Sequence, residues 1–94
     1  MPFEWDLEKE AANLAKHGIS FSEASEVFAR DYLELEDTRL YEGEYRWQVI
    51  GRTKTGQVLF VVVTYRTHHT RIISARPAER REVLTFFDHL FGLI

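Results

Sequence analysis

Between residues 7 and 31 apolar residues recur at helical spacing, and from Tyr32 they recur at every second residue. Leu7, Ala11, Leu14 and Ala15 share one face of a helix predicted over about Leu7 to His17. Asp6 suits its N-cap and Gly18 its C-terminal stop. Ser20-Phe21-Ser22-Glu23 has the form of a capping box, and Phe21, Ala24, Val27 and Phe28 supply the stripe of a second, short helix that closes near Asp31. Only Gly18-Ile19-Ser20 separates the two, which predicts a helical hairpin. Ahead of it, Phe3-Glu4-Trp5 alternates and reads as a short strand or an anchor.

The second half reads as strands. Tyr32 to Glu36 alternates, Asp37 to Gly43 is polar and reads as a loop, and Tyr45 to Gly51 alternates again. Thr53-Lys54-Thr55-Gly56 is a turn, and Gln57 to Tyr65 is apolar on both faces, as a central covered strand would be. Arg66 to Thr70 is a second turn, and Arg71 to Arg76 is a last strand. Pro77 suits a first helical position, and Ala78 to about Leu90 is a final helix. In that helix Val83, Phe87, Leu90, Phe91 and Ile94 share a stripe, with Leu84 and Phe86 elsewhere. The expected fold is α+β: an N-terminal helical hairpin on a four-stranded antiparallel sheet, then a C-terminal helix, in a single domain over residues 1–94. Two-residue loops between the middle strands would place Arg46, Gln48, Ile50 and Arg52 beside Leu59, Val61, Val63 and Tyr65 on one face. Trp47 and Val49 would then lie beside Val58, Phe60, Val62 and Thr64 on the other, where the hairpin is expected to pack.

Composition narrows the function. The net charge of −3 is unevenly spread. Residues 1–44 hold four cations against twelve acids, and residues 45–94 hold eight against three, the pattern of a basic working face and an acidic back or of halves that neutralise each other. With no cysteine there is no disulfide or thiolate metal site, and the expected location is cytoplasmic. No stretch has the form of a signal peptide or a membrane span, so no membrane partner is expected.

The histidines His17, His68, His69 and His89 lack metal-ligand spacing, so no metal is expected, and no nucleophile elbow or glycine-rich phosphate loop points to a cofactor. What remains is an arginine-rich strand face. RNA carries its own nucleophile, the 2′-OH, so cutting it needs a base, cations for charge on phosphorus and a proton donor. Arginine suits the cation because its planar fork spans two phosphate oxygens. Arg76, at the junction of last strand and last helix, is the leading phosphate ligand, with Arg46 and Arg71 beside it. Arg71 and Arg76 have opposite parity on a regular strand, so they can share a site only if the strand bends or one reaches around its end. His17 or Glu44 is the candidate base; Lys16 and Tyr65 can contact RNA, and Ser74 either satisfies the backbone or donates into the site. Phe87, Leu90 and Phe91 make the last helix more apolar than one packing face requires, which suggests a partner surface. Asp6 and Asn13 are read as structural. A non-catalytic module that binds RNA or docks a partner through this helix is the competing reading.

Phe3-Glu4-Trp5-Asp6, Lys9, Asn13, Lys16-His17-Gly18, Phe21, Ala24, Val27-Phe28, Asp31, Gly43-Glu44, Arg46, Gly51, Arg71-Ile72-Ile73-Ser74-Ala75-Arg76 and Arg80-Arg81-Glu82 occur in this order along nearly the whole chain. In this the chain resembles the BrnT family of type II toxins. The resemblance implies a RelE-like fold, ribonuclease activity that halts translation, and neutralisation by a BrnA-type ribbon-helix-helix antitoxin that also binds operator DNA; with the metal-free cleavage chemistry above, the expected function is a metal-independent endoribonuclease toxin. It also strengthens a role in RNA cleavage for Lys16 and His17. Phe86 and Phe87 stand where family members often carry a tyrosine.

Overall fold

The first helix, α1 (Leu7–His17), starts where the Asp6 carboxylate accepts hydrogen bonds from the N–H groups of Glu8 and Lys9 at 2.8 and 3.0 Å. The Lys9 N–H leads in holding that carboxyl below its ordinary range. The helix ends at Gly18, whose φ of +73° is the left-handed conformation that glycine adopts without strain. This is a computed structural model that describes residues 2–93, so Met1 and Ile94, the latter counted in the last apolar stripe, lie outside the described residues. The second helix, α2 (Phe21–Ser25), continues as a 3-10 turn over Glu26–Ala29. The Ser20 hydroxyl accepts from the Glu23 N–H at 3.0 Å, and the Phe21 N–H donates to the Glu10 carboxylate of α1 at 2.9 Å, tying the hairpin together.

The sheet contains β1 (Phe3–Glu4), β2 (Tyr32–Tyr41), β3 (Glu44–Arg52), β4 (Val58–Tyr65) and β5 (Thr70–Pro77), in the spatial order β1-β5-β4-β3-β2. The four long strands form the expected antiparallel meander with β4 inside it. Phe3-Glu4 is a strand, the fifth, and runs parallel to the start of β5. β2 extends through the segment read as a loop from Asp37, with an irregularity between Asp37 and Leu40 that lets ten residues pair with the shorter β3. Arg80–Leu90 forms α3. Pro77 is the last residue of β5 rather than the first of this helix, and Glu79 is the N-cap, in a capping box with Glu82.

The register between β3 and β4 differs from the expected one by a single residue, which exchanges the faces of β4. Thr53 and Gln57 close the turn: the Thr53 N–H donates to the Gln57 carbonyl at 2.9 Å, and the Gln57 N–H donates to the Thr53 hydroxyl at 3.2 Å. Lys54-Thr55-Gly56 is therefore a three-residue loop, with Gly56 at φ +91°. Its odd length pairs Val49 with Val61 and Gly51 with Leu59. Trp47 and Val49 thus join Leu59, Val61 and Val63 under the hairpin, with Ile19, Phe21, Ala24 and Val27 above them. Leu33, Ile50, Val58 and Phe60 lie on the opposite face, covered by Phe86, Phe87 and Leu90 of α3. Phe86, placed off the apolar stripe by the sequence reading, is the fully buried anchor of this second core.

Helix α1 also departs from expectation. Leu7, Ala11, Leu14 and Ala15 face solvent, and the helix buries Asn13 instead. The cause lies at the sheet edge. Among the described residues strand β1 pairs only with Thr70 and Arg71, and the backbone of β5 beyond them has no neighbouring strand on that side. Asn13 fills that place: its Oδ1 accepts from the Ala75 N–H at 3.1 Å, and its Nδ2 donates to the carbonyls of Ala75 and Ile19 at 2.7 and 2.9 Å. Satisfying buried backbone groups outweighs burying two leucines, since an orphaned group costs about 1–3 kcal/mol.

Candidate functional site

A bulge in β5 builds the site. Arg71 pairs with Thr64, Ile72 with Val63, and Ser74 with Val62, so Ile73 is an extra residue on this strand. Without it Arg71 would point away from Ser74 and Arg76. With it all three share the face of Thr64, Val62 and Phe60, which is also the face of Gln48 and, two residues on, Arg46. The parity conflict between Arg71 and Arg76 is resolved by this inserted residue.

Sharing a face does not place the two arginines together. Five residues along a strand span roughly 15 Å, and α3 covers the Arg76 end. Arg76 donates to both Glu82 oxygens at 2.8 and 2.9 Å and to the Pro77 carbonyl at 3.2 Å, and its guanidinium lies 4.2 Å from the Phe60 ring centre. The Glu82 pair raises the pKa of Arg76, and Arg76 in turn holds Glu82 below the ordinary carboxylate range. Glu82 also accepts from the Glu79 N–H at 2.8 Å. The junction expected to bind an anion through Arg76 and the N-terminus of α3 is filled by the chain's own carboxylate, and Arg76 latches α3 to the sheet.

The other end of this face is open. A cavity of about 170 Å³ is lined by Lys9 of α1, Glu44 and Arg46 of β3, Thr64 of β4 and Arg71 of β5, with Arg66 from the β4–β5 turn and Tyr41 and Glu42 from the β2–β3 end. A second, of about 240 Å³, adjoins it through Lys9 and Ile73 and is lined further by Asn13, Lys16, His17 and Ser74. Together they form one groove between α1 and the sheet. Of the expected residues it gathers His17, Glu44, Arg46, Lys16, Arg71 and Ser74. It adds Lys9, Arg66 and Tyr41, which the sequence reading did not assign to the site. Lys9 stands one helical turn from Asn13, and the Asn13 bonds to β5 aim it inward; Arg66 is in a turn whose fold the sequence does not fix.

Two carboxylates organise part of this charge. Arg66 donates to Glu44 at 3.1 Å and lies 3.6 Å from Glu4, and Glu4 is 3.9 Å from Arg71. Glu4 reaches these arginines because β1 pairs it directly with Arg71. Across β2, Asp37 accepts from Arg39 Nε and Nη2 at 3.1 and 3.0 Å and from the Tyr41 hydroxyl at 2.8 Å. The Arg39 bond leads in holding Asp37 well below the ordinary carboxylate range, and the bond to Asp37 raises the pKa of Tyr41.

Tyr65 is on the far face. It follows Val63 by two residues, its ring lies 5.9 Å from Trp47, and its hydroxyl donates to Glu34. Burial first, then the Glu34 bond, raises its pKa. The one-residue register change removes it from the groove. In α3, Phe87 and Leu90 are half-buried against the second core, while Phe91 is 69% exposed and stacks on Phe87; Leu84 and Leu93 are exposed as well. Phe86 and Phe87 face this core and do not line the groove. Among the described residues no three His, Cys, Asp or Glu side chains cluster as a metal site, and no helix is long and apolar enough to cross a membrane.

Comparison with known proteins agrees with this architecture. The crystal structure of the Brucella abortus ribonuclease toxin BrnT is similar in fold, with a TM-score of 0.62 and 22% identity over 85% of this chain and 99% of that one. No curated protein matches. The family described as the ribonuclease toxin BrnT of type II toxin–antitoxin systems matches residues 5–82, which include every groove residue, and the chain belongs to this family.

Proposed function

We propose that the groove binds RNA and that the protein is the toxin of a type II toxin–antitoxin pair, an endoribonuclease that inhibits translation by cutting RNA through its own 2′-OH. The observation that carries this reading is the convergence of Lys9, Arg46, Arg66 and Arg71 on one concave surface, in a protein whose net charge is −3. Such a concentration of cations in an acidic protein suits a polyanion held at that surface. Arg46 and Arg71 contact the scissile phosphate and stabilise charge on its oxygens. Glu44, within the same cavity and oriented by Arg66, accepts the 2′-OH proton. His17, in the adjoining cavity, is the alternative base or the donor to the 5′ oxygen, and imidazole suits either role near neutral pH. Lys16 and Ser74 hold the neighbouring backbone. Arg76 serves by fixing α3.

The test is cleavage of RNA by purified protein in EDTA. Glu44→Gln, His17→Asn and Arg71→Ala are each expected to lower the rate by at least tenfold while thermal unfolding stays cooperative. Undiminished cutting by all three would refute the placement of the site. The partner in this reading is a ribbon-helix-helix antitoxin that binds operator DNA, and exposed Phe91, Leu84 and Leu93 offer it apolar ground. Expression of the protein alone should arrest growth, and co-expression of such an antitoxin from a neighbouring reading frame should restore it.

A further inference from the structure

Among the groove's arginines, Arg46 is held differently from the others. Arg66 is oriented by carboxylates, donating to Glu44 at 3.1 Å with Glu4 3.6 Å away, and Arg71 is paired more loosely with Glu4 at 3.9 Å, an ion pair without a hydrogen bond. Arg46 forms no ion pair and no side-chain hydrogen bond among the described residues. Its guanidinium instead lies 4.0 Å from the centre of the Tyr41 ring. A ring holds a guanidinium by its face and leaves the N–H groups at its edge free, whereas a carboxylate holds it by consuming them. The ring is itself fixed, because the Tyr41 hydroxyl donates to Asp37 at 2.8 Å.

The strand register explains why Asp37 does not take Arg46 for itself. The two residues pair directly across β2 and β3, yet the irregularity after Asp37 brings Arg39 and Tyr41 back onto its carboxylate. The same irregularity sets Tyr41 opposite Glu44 and so beside the groove. We propose that Tyr41 is a positioning residue: its ring, anchored by Asp37, presents the Arg46 fork with its donors open to an RNA phosphate. This rests on the reading of the groove as an RNA site and adds to it how one cation is kept both ordered and unquenched.

The test compares binding of a short single-stranded 2′-O-methyl oligoribonucleotide, which lacks the attacking hydroxyl and so is not cut, as salt is varied, alongside NMR relaxation of the Arg46 Nε–H group. Arg46→Gln should weaken binding and flatten the dependence of log K on log salt by about 0.7, the loss of one phosphate contact on a single strand. Tyr41→Leu should reproduce most of that loss, roughly threefold to tenfold, and should mobilise Arg46 Nε–H on the picosecond–nanosecond scale. Tyr41→Phe, which keeps the ring, should remain closer to wild type than Tyr41→Leu does. The double variant with Arg46→Gln should bind no more weakly than Arg46→Gln alone. Should leucine unfold the hairpin, Tyr41→Thr, a good strand former, repeats the measurement. Wild-type binding with unchanged affinity and an unchanged Arg46 Nε–H in the leucine or threonine variant would overturn the assignment of Tyr41 alone. Absence of RNA binding by the wild type would overturn the RNA reading and this proposal with it.

Discussion

Replacing Asn13 tests how the groove is assembled. Its side chain makes three bonds to backbone groups, two on Ala75 and one on Ile19, at 2.7 to 3.1 Å, and the residue is 8% exposed. Asn13→Ala removes all three and leaves the Ala75 N–H and two carbonyls without these partners at the edge of the sheet. At about 1 kcal/mol net for each bond the loss is roughly 3 kcal/mol. That is a large share of the 5–15 kcal/mol (order of magnitude) typical of a small domain. In urea, with an m-value of about 1–2 kcal/mol/M, the midpoint should fall by roughly 1.5–3 M. Asn13→Asp keeps the acceptor for Ala75 N–H but turns the donor into an oxygen facing two carbonyl oxygens, so near neutral pH it should be no more stable than the alanine variant. The assay is equilibrium urea unfolding followed by circular dichroism and tryptophan fluorescence. A midpoint shift below about 0.5 M for Asn13→Ala, or an aspartate variant as stable as wild type, would refute the claim that these bonds place α1.

Three further outcomes follow from other contacts. A Cβ on Gly51 would lie 3.0 Å from Val27 Cβ and 3.1 Å from Tyr32 Cβ, so Gly51→Ala should cost about 2 kcal/mol and lower Tm by roughly 8–16 °C in calorimetry. The folded-state pKa of Glu82 is depressed, chiefly by Arg76, so its contribution to stability is fully present above the ordinary value of 4.5 and is lost as pH falls through the lower folded value. Unfolding free energy measured against pH should therefore decline less on the acid side in Glu82→Gln than in wild type; equal slopes would contradict the latch. Arg76→Ala should reduce stability by about 1–2 kcal/mol, with its partial exposure already discounted. Arg71→Ala should instead act on RNA affinity and its salt dependence; the reverse pattern would restore Arg76 to the binding site.

The sequence carried most of the element order, because capping residues and apolar periodicity are local. Asp6, Gly18 and Ser20 sit where expected, and the shift from helical to alternating pattern at Tyr32 marks the start of the meander. It also carried the family, through the blocks around Lys16-His17-Gly18 and Arg71 to Arg76. Local signals failed where an element's partner decides its orientation. The apolar stripe of α1 pointed inward by its own pattern, yet the helix turns it to solvent because Asn13 completes the open edge of β5.

The groove itself was decided by tertiary structure. Side chains alternate with a period of two, so one residue more or less in a turn or strand exchanges faces. The three-residue loop Lys54-Thr55-Gly56 sent Tyr65 to the core face, and the extra residue Ile73 brought Arg71 round to Arg46. Gly56 marks the turn but does not fix its length to the residue, and nothing in the residue type of Ile73 announces the bulge. Arg76 shows the same limit for charge. The sequence shows that an arginine ends the strand, but only the packed helix shows that Glu82 already holds it. Composition and order therefore determined which cations and which elements this protein has. The registers set by long-range pairing determined which cations are free and where they meet.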